Sequence, residues 1–142
     1  MENNHTTLSR PRKIEKLHWH IQHWKSDLQF LEDEIIFVEQ LLNSNIFESN
    51  KSGMSDKLED YLTRLATFND RKTKVRLLIS KHENQLGTVM ESTNDNVITD
   101  FHHRHDDLEL EVLDCTDNFK SLKAEIFNFV SGILKNRKSN TD

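Results

Sequence analysis

Histidine is the residue type in this chain whose abundance and spacing suggest chemistry. Eight are present, and all but His5 fall in LHWHIQHW (His18, His20, His23), at His82, and in FHHRH (His102, His103, His105). A neutral imidazole binds zinc, copper or nickel through a ring nitrogen, and it is the side chain that ordinarily changes charge near neutral pH. Three imidazoles on three separate elements supply a tetrahedral or trigonal metal site with one position vacant, and carboxylates behind the rings orient them. The residues that spacing selects are His18, His82 and His105, with Glu15, Glu83 and Asp106 behind them. The competing reading is a polar layer: a histidine pair among apolar neighbours fixes pairing register at some cost in stability, as a buried asparagine does. The polar layer is the first expectation. A zinc, copper or nickel site is the alternative, and no resident cofactor is expected.

Other reactive groups offer less. Glu15-Lys16-Leu17-His18 forms the Glu-x-x-His step of di-iron bundles, but those sites need a second copy, two further carboxylates and a fourth helix. Lys72 and Cys115 fall at apolar-spaced positions. Lys72 is expected to extend its charge to Asp27 or Asp114, and Cys115 to pack as a small apolar side chain. The sequence carries no Ser, His and Asp order, no glycine-rich phosphate loop and no pair of catalytic carboxylates, so the chain is not expected to be an enzyme.

The elements that must hold these residues are legible as heptads. Ile14, Leu17, Ile21, Trp24, Leu28, Leu31, Ile35, Val38 and Leu42 alternate in steps of three and four, which predicts a helix over about 12–44 with Pro11 at its first turn. NSNIFESNKSG (43–53) is rich in residues that favour reversals. A second seam runs Leu58, Tyr61, Leu65, Phe68, Lys72, Val75, Ile79, His82, Leu86 and Val89, predicting a helix over 55–91 capped by Ser55. After STNDN, a third seam runs Ile98, Phe101, His105, Leu108, Val112, Cys115, Phe119, Leu122, Ile126, Phe129 and Ile133. It predicts a helix over 95–135 capped by Asn94 or Asp95. Gly87 and Gly132 fall inside the pattern and leave the nearby helix ends the least defined. Residues 1–11 are expected to be a flexible arm and 137–142 a frayed tail.

A chain of 142 residues with three glycines, one proline and 35% hydrophobic residues suits one all-α domain. Short connections require the helices to run up, down, up. The fold class expected is therefore an antiparallel three-helix coiled-coil bundle, a rod some 50 to 60 Å long at about 1.5 Å per residue. Folding the chain at its turns sets Leu42 opposite Leu58 and Val89 opposite Ile98. Acidic Asp27 to Glu48 then meets basic Arg71, Lys72, Lys74, Arg76 and Lys81, which also face Glu111, Asp114 and Asp117. Arg12, Lys13 and Lys16 fall beside Asp100, Asp106 and Asp107. Such pairs set orientation more than stability.

The formal net charge of -5 argues against sequence-independent binding of nucleic acid, which needs a basic surface. No apolar run approaches the roughly 20 residues of a membrane span, and MENNHTTLSRPRK lacks the apolar centre of a signal peptide. With a single cysteine, these features predict a cytoplasmic protein without disulfides.

Apolar residues that the seams do not use point to a contact surface. Phe30 and Phe37 stand seven apart on helix one near Ile36 and Leu41, and Phe127, Val130 and Leu134 flank the third seam. They mark either a wide core or an exposed patch for self-association or for a helical partner, with Phe30, Phe37, Phe127 and Leu134 as its residues and Trp19 as a second contact point. The run HWKSDLQFLEDEIIFVEQLL carries Trp24, then Leu28-x-Phe30, then Asp33-Glu34-Ile35. With a histidine late in helix two, His82, it resembles small uncharacterised coiled-coil proteins of Bacteroidetes-type bacteria. The resemblance implies a cytoplasmic helical protein and brings no activity. The function expected is a non-catalytic helical interaction or scaffold protein that self-associates, with a histidine-based metal-binding or metal-responsive bundle as the alternative.

Overall fold

A computed structural model describes residues 10–44 and 54–140, with side-chain environments for 13–44 and 54–136. It contains α1 (Arg10–Leu42), α2 (Met54–Glu91) and α3 (Asp95–Asn140), and no strand among the described residues. The fold is an all-helical three-helix bundle. Of the flexible arm expected at 1–11, Arg10 and Pro11 are instead the first residues of α1, while residues 1–9 and most of the first turn lie outside the described residues. None of the described helices is long and apolar enough to cross a membrane.

Local chemistry closes the helix ends. At the end of α1 the Asn43 amide and side chain both donate to the Glu39 carbonyl, at 3.1 and 2.9 Å, and the Ser44 hydroxyl donates to that of Leu41 at 2.7 Å. These are carbonyls that a helix leaves without partners. Asn94 caps α3: its side-chain oxygen accepts the Asn96 amide at 2.9 Å, and its carbonyl accepts the Ile98 amide at 3.2 Å. That is N-cap geometry. Ser55 lies inside α2, which begins one residue earlier, so it is not the cap. α3 continues to Asn140, past the end expected near 135. Gly87 and Gly132 are helical with open space beside them, so neither ends its helix.

The heptad positions are the core. Leu17, Ile21, Trp24, Leu28, Leu31, Ile35, Val38 and Leu42 of α1 are buried, as are Leu65, Val75 and Ile79 of α2 and Phe101, Val112, Cys115, Phe119 and Ile126 of α3. Burial pushes the Cys115 thiol above its ordinary value, consistent with an apolar packing role. Late in α3 the pattern slips: Val130 is buried, whereas Phe129 is only partly so. A straight helix falls behind a seven-residue repeat by about 20° per heptad, so by that point the residue after the seam position has turned inward.

Charge pairs report the register. Lys25 meets Glu83 at 3.1 Å and Glu32 meets Lys72 at 3.1 Å, so the pairs run in opposite order along α1 and α2. Relative to Leu42 opposite Leu58, Lys72 lies one turn farther along α1, and its partner is Glu32 rather than Asp27 or Asp114. Asp114 is taken by Arg71, at 2.7 Å, which also reaches Glu111 at 3.1 Å. Arg64 pairs with Glu125 at 2.7 Å. Among the described residues no ion pair joins Lys13 or Lys16 to Asp100, Asp106 or Asp107; the Arg12 side chain lies outside them.

Glu32 also accepts from Arg76 at 2.6 Å, and these cations hold its carboxyl below the usual range. Lys72 is 5% exposed. Its desolvation is tolerable only while that carboxylate is present. Glu32→Ala is therefore expected to destabilise the bundle by about 2 kcal/mol, whereas Lys72→Met, an apolar near-isostere, should be neutral or stabilising. Urea unfolding of the two variants checks this; a more costly Lys72→Met would mean that the ion pair itself supplies stability.

Candidate functional site

His82 on α2 and His105 on α3 occupy facing seam positions and are 4% and 3% exposed. Their rings are joined edge to edge, His82 Nε2 to His105 Nδ1 at 2.9 Å. The other nitrogen of His105 is used as well: Nε2 lies 2.9 Å from Nδ1 of His20. Three imidazoles, one from each helix, thus form a continuous hydrogen-bonded chain across the bundle. His20 is half-buried on the flank of α1, and its stacking on His105 is loose, with centroids 5.2 Å apart.

Aromatic rings brace the chain. Phe101 lies parallel to His82 with centroids 4.1 Å apart, and Trp24 packs against His105 at 4.6 Å. Trp24 is a buried seam residue one turn from His20, so α1 supplies both the bracing ring and the outermost imidazole. Desolvation is the main reason that the pKa of His82 falls to about 4, assisted by the nearby Arg104 cation. Burial likewise takes His105 to about 4, with His82, His20 and His102 adding to the fall and Asp106 opposing it. At neutral pH the two buried rings are neutral, each with one N–H and one lone pair.

This geometry differs from a ligand set. Metal-binding nitrogens converge on one point about 2.0 to 2.1 Å away, whereas these nitrogens face one another in pairs. Among the described residues no group of three or more His, Cys, Asp or Glu is placed to hold a metal ion. His18 is exposed and stands near Glu83 instead of joining the layer. Glu83 is occupied by Gln22 at 2.7 Å and by Lys25, Glu15 is exposed, and Asp106 acts on His105 through charge alone.

His20 is the member that seam reading overlooks, because the seam lists only positions that point at the bundle axis. Its signal was its place four residues before Trp24, on the flank nearest α3. A planar ring there lies across the edge of a layer and reaches the next helix.

The apolar residues left outside the seams form the second feature. Phe37 and Phe127 meet edge to face, centroids 6.4 Å apart and planes at 84°. Lys123 lies over the Phe127 ring and bridges to Glu34 of α1. Phe30 is one heptad before Phe37 and Leu134 one heptad after Phe127, which extends the line at both ends. Toward the histidines the groove between α1 and α3 continues past Leu113, Leu110 and Trp19. Trp19, Phe30, Phe37, Leu110, Leu113, Phe127 and Leu134 are between 36% and 65% exposed. They are therefore a surface line; Phe37 and Phe127 touch each other without being covered.

Compared with protein-family models, curated proteins and solved structures, the chain matches none.

Proposed function

We propose that this chain is a non-catalytic, self-associating helical module, a three-helix coiled coil whose α1–α3 face docks on the same face of a second copy. The observation that carries this reading is the line of exposed aromatic and leucine residues along that groove, crossed by the Lys123–Glu34 bridge. Apolar side chains exposed singly are ordinary, whereas a contiguous line of aromatic and leucine residues along one face marks a contact surface.

Charge favours a second copy as the occupant. Along the outer side of α3, Asp106, Glu109 and Asp117 precede Lys120 and Lys135. A two-fold axis close to Leu113 turns one α3 antiparallel to the other. Leu113 and Leu110 are then covered near the axis, and Lys120 of one copy lies opposite Asp106 of the other. An isologous contact of this kind is complementary to itself and closes at the dimer. The buried Cys115 thiol, unable to form an internal disulfide, suits a reducing compartment such as the cytoplasm.

Phe37→Glu combined with Phe127→Glu tests the reading. These side chains are exposed, so helix content by circular dichroism should hold while light scattering falls from dimer to monomer mass. A wild-type chain that stays monomeric, or a double variant that stays dimeric, would overturn the proposal.

A further inference from the structure

The histidine chain does more than fix register. Its two ends open on different sides of the bundle: His82 lines a groove of ≈ 450 Å³ between α2 and α3, with Lys81, Gln85, Arg104 and Asp107. His20 lines the groove between α1 and α3, with Trp19 and His23. Between them His105 uses both ring nitrogens at 2.9 Å. The nitrogens at the outer ends, Nδ1 of His82 and Nε2 of His20, have no hydrogen bond among the described residues.

We propose that His82, His105 and His20 form a proton relay and proton-binding site across the bundle, joining the α2–α3 groove to the α1–α3 groove. A proton taken up from water at His82 Nδ1 releases the Nε2 proton to His105 Nδ1. His105 then passes its Nε2 proton to His20 Nδ1, and His20 releases its own Nε2 proton to solvent. One proton enters and one leaves, and each ring ends in its other tautomer. The reversed chain is complete too, with His20 donating to His105 and His105 to His82.

Hydrogen bonding favours His105 for a retained proton, while burial of that ring opposes the charge. On His105, both N–H groups donate to a lone pair, one on each neighbour; on either outer ring only one bond within the chain is made. A second proton on the chain sets an N–H against an N–H, so the protonations of His82 and of His105 are coupled. The titratable and charged groups around the relay are His102, Arg104, Asp106 and Asp107 of α3, Lys81 and Glu83 of α2, and His23 of α1. Burial, more than the balance of these groups, depresses the titration of His82 and His105 and leaves both rings neutral at pH 7, the state in which the relay can conduct.

Nitrogen NMR on the full chain with 15N-labelled histidine tests this. Scalar couplings are expected between His82 Nε2 and His105 Nδ1 and between His105 Nε2 and His20 Nδ1, since a shared N–H carries coupling across the bond. On acidification the ring resonances of His82 should move with those of His105, and at neutral pH His105→Leu should shift the His20 ring nitrogen resonances by removing the partner of its Nδ1. Absence of either coupling, or identical His20 ring nitrogen resonances at neutral pH in wild type and His105→Leu, would overturn the relay. Should His105→Leu lose its helical circular dichroism, the couplings in the unsubstituted chain decide alone, their presence supporting the relay and their absence refuting it.

Discussion

Ile79→Asp is expected to prevent the chain from folding under native conditions. Ile79 is 1% exposed at the centre of the α2 seam. The substitution buries a carboxylate among apolar seam side chains, and either an unpaired charge or a forced protonation is destabilising by about 4 kcal/mol or more. A domain of this size has roughly 5 to 15 kcal/mol in total. Long, thin bundles hold little reserve elsewhere, because each layer supports its neighbours. Leu28→Asp, on the facing seam of α1, should behave alike. Gln29→Asp, one position along and exposed, should change stability by no more than about 0.5 kcal/mol. Circular dichroism and urea unfolding separate the cases, and equal effects from Ile79→Asp and Gln29→Asp would remove the heptad assignment.

The second large effect is acid sensitivity. The folded pKa values of His82 and His105, about 4, lie below the unfolded value near 6.5. For a base with a depressed folded pKa, the unfolded chain binds more protons, so the stability from the neutral ring is present above pH 6.5 and is lost as pH falls toward 4. The loss is expected to be on the order of 3 kcal/mol over that window, with the sharing of a proton along the chain reducing what two independent rings would lose. Carboxylates act lower. Glu32 and Glu83 have depressed values because of their basic partners, so their contributions persist above about 4.5 and vanish only as pH falls below it. Thermal melts between pH 7 and 5 should therefore show a steep decline in the wild type and a flat response in His82→Leu with His105→Leu, whose apolar side chains suit the same layer. A parallel decline in both proteins would mean that other groups govern the acid limb.

Much of the fold was legible because a three-and-four spacing sustained over several heptads leaves one face to bury. The seams of α1 and α2 are buried as read, from Leu17 to Leu42 and from Tyr61 to Val89. The same rule failed late in α3, at Phe129 and Val130, because a repeat of seven and a turn of 3.6 residues drift apart. It also placed His82 and His105 in one layer, since both are seam residues. It did not place His20, and it selected the exposed His18, because flank residues are set by the small offset between neighbouring helices, which a turn hidden in NSNIFESNKSG does not fix. The choice of Glu32 by Lys72 has the same origin: one turn of offset changes which carboxylate is nearest.

Self-association through the α1–α3 face is the central claim, and an intermolecular distance tests it most directly. Asp70 of α2 and Asp117 of α3 are exposed at the same level of the bundle, next to the packed rings of Phe68 and Phe119, but on different sides of it. In a Cys115→Ala background, a nitroxide is attached at Asp117→Cys in one sample and at Asp70→Cys in another, and electron–electron dipolar spectroscopy is recorded on each. The proposed two-fold contact predicts an intermolecular distance for the Asp117 label that is shorter than that for the Asp70 label by roughly two helix diameters, about 20 Å. Equal distances, a shorter distance for Asp70, or no intermolecular signal from either position would contradict it.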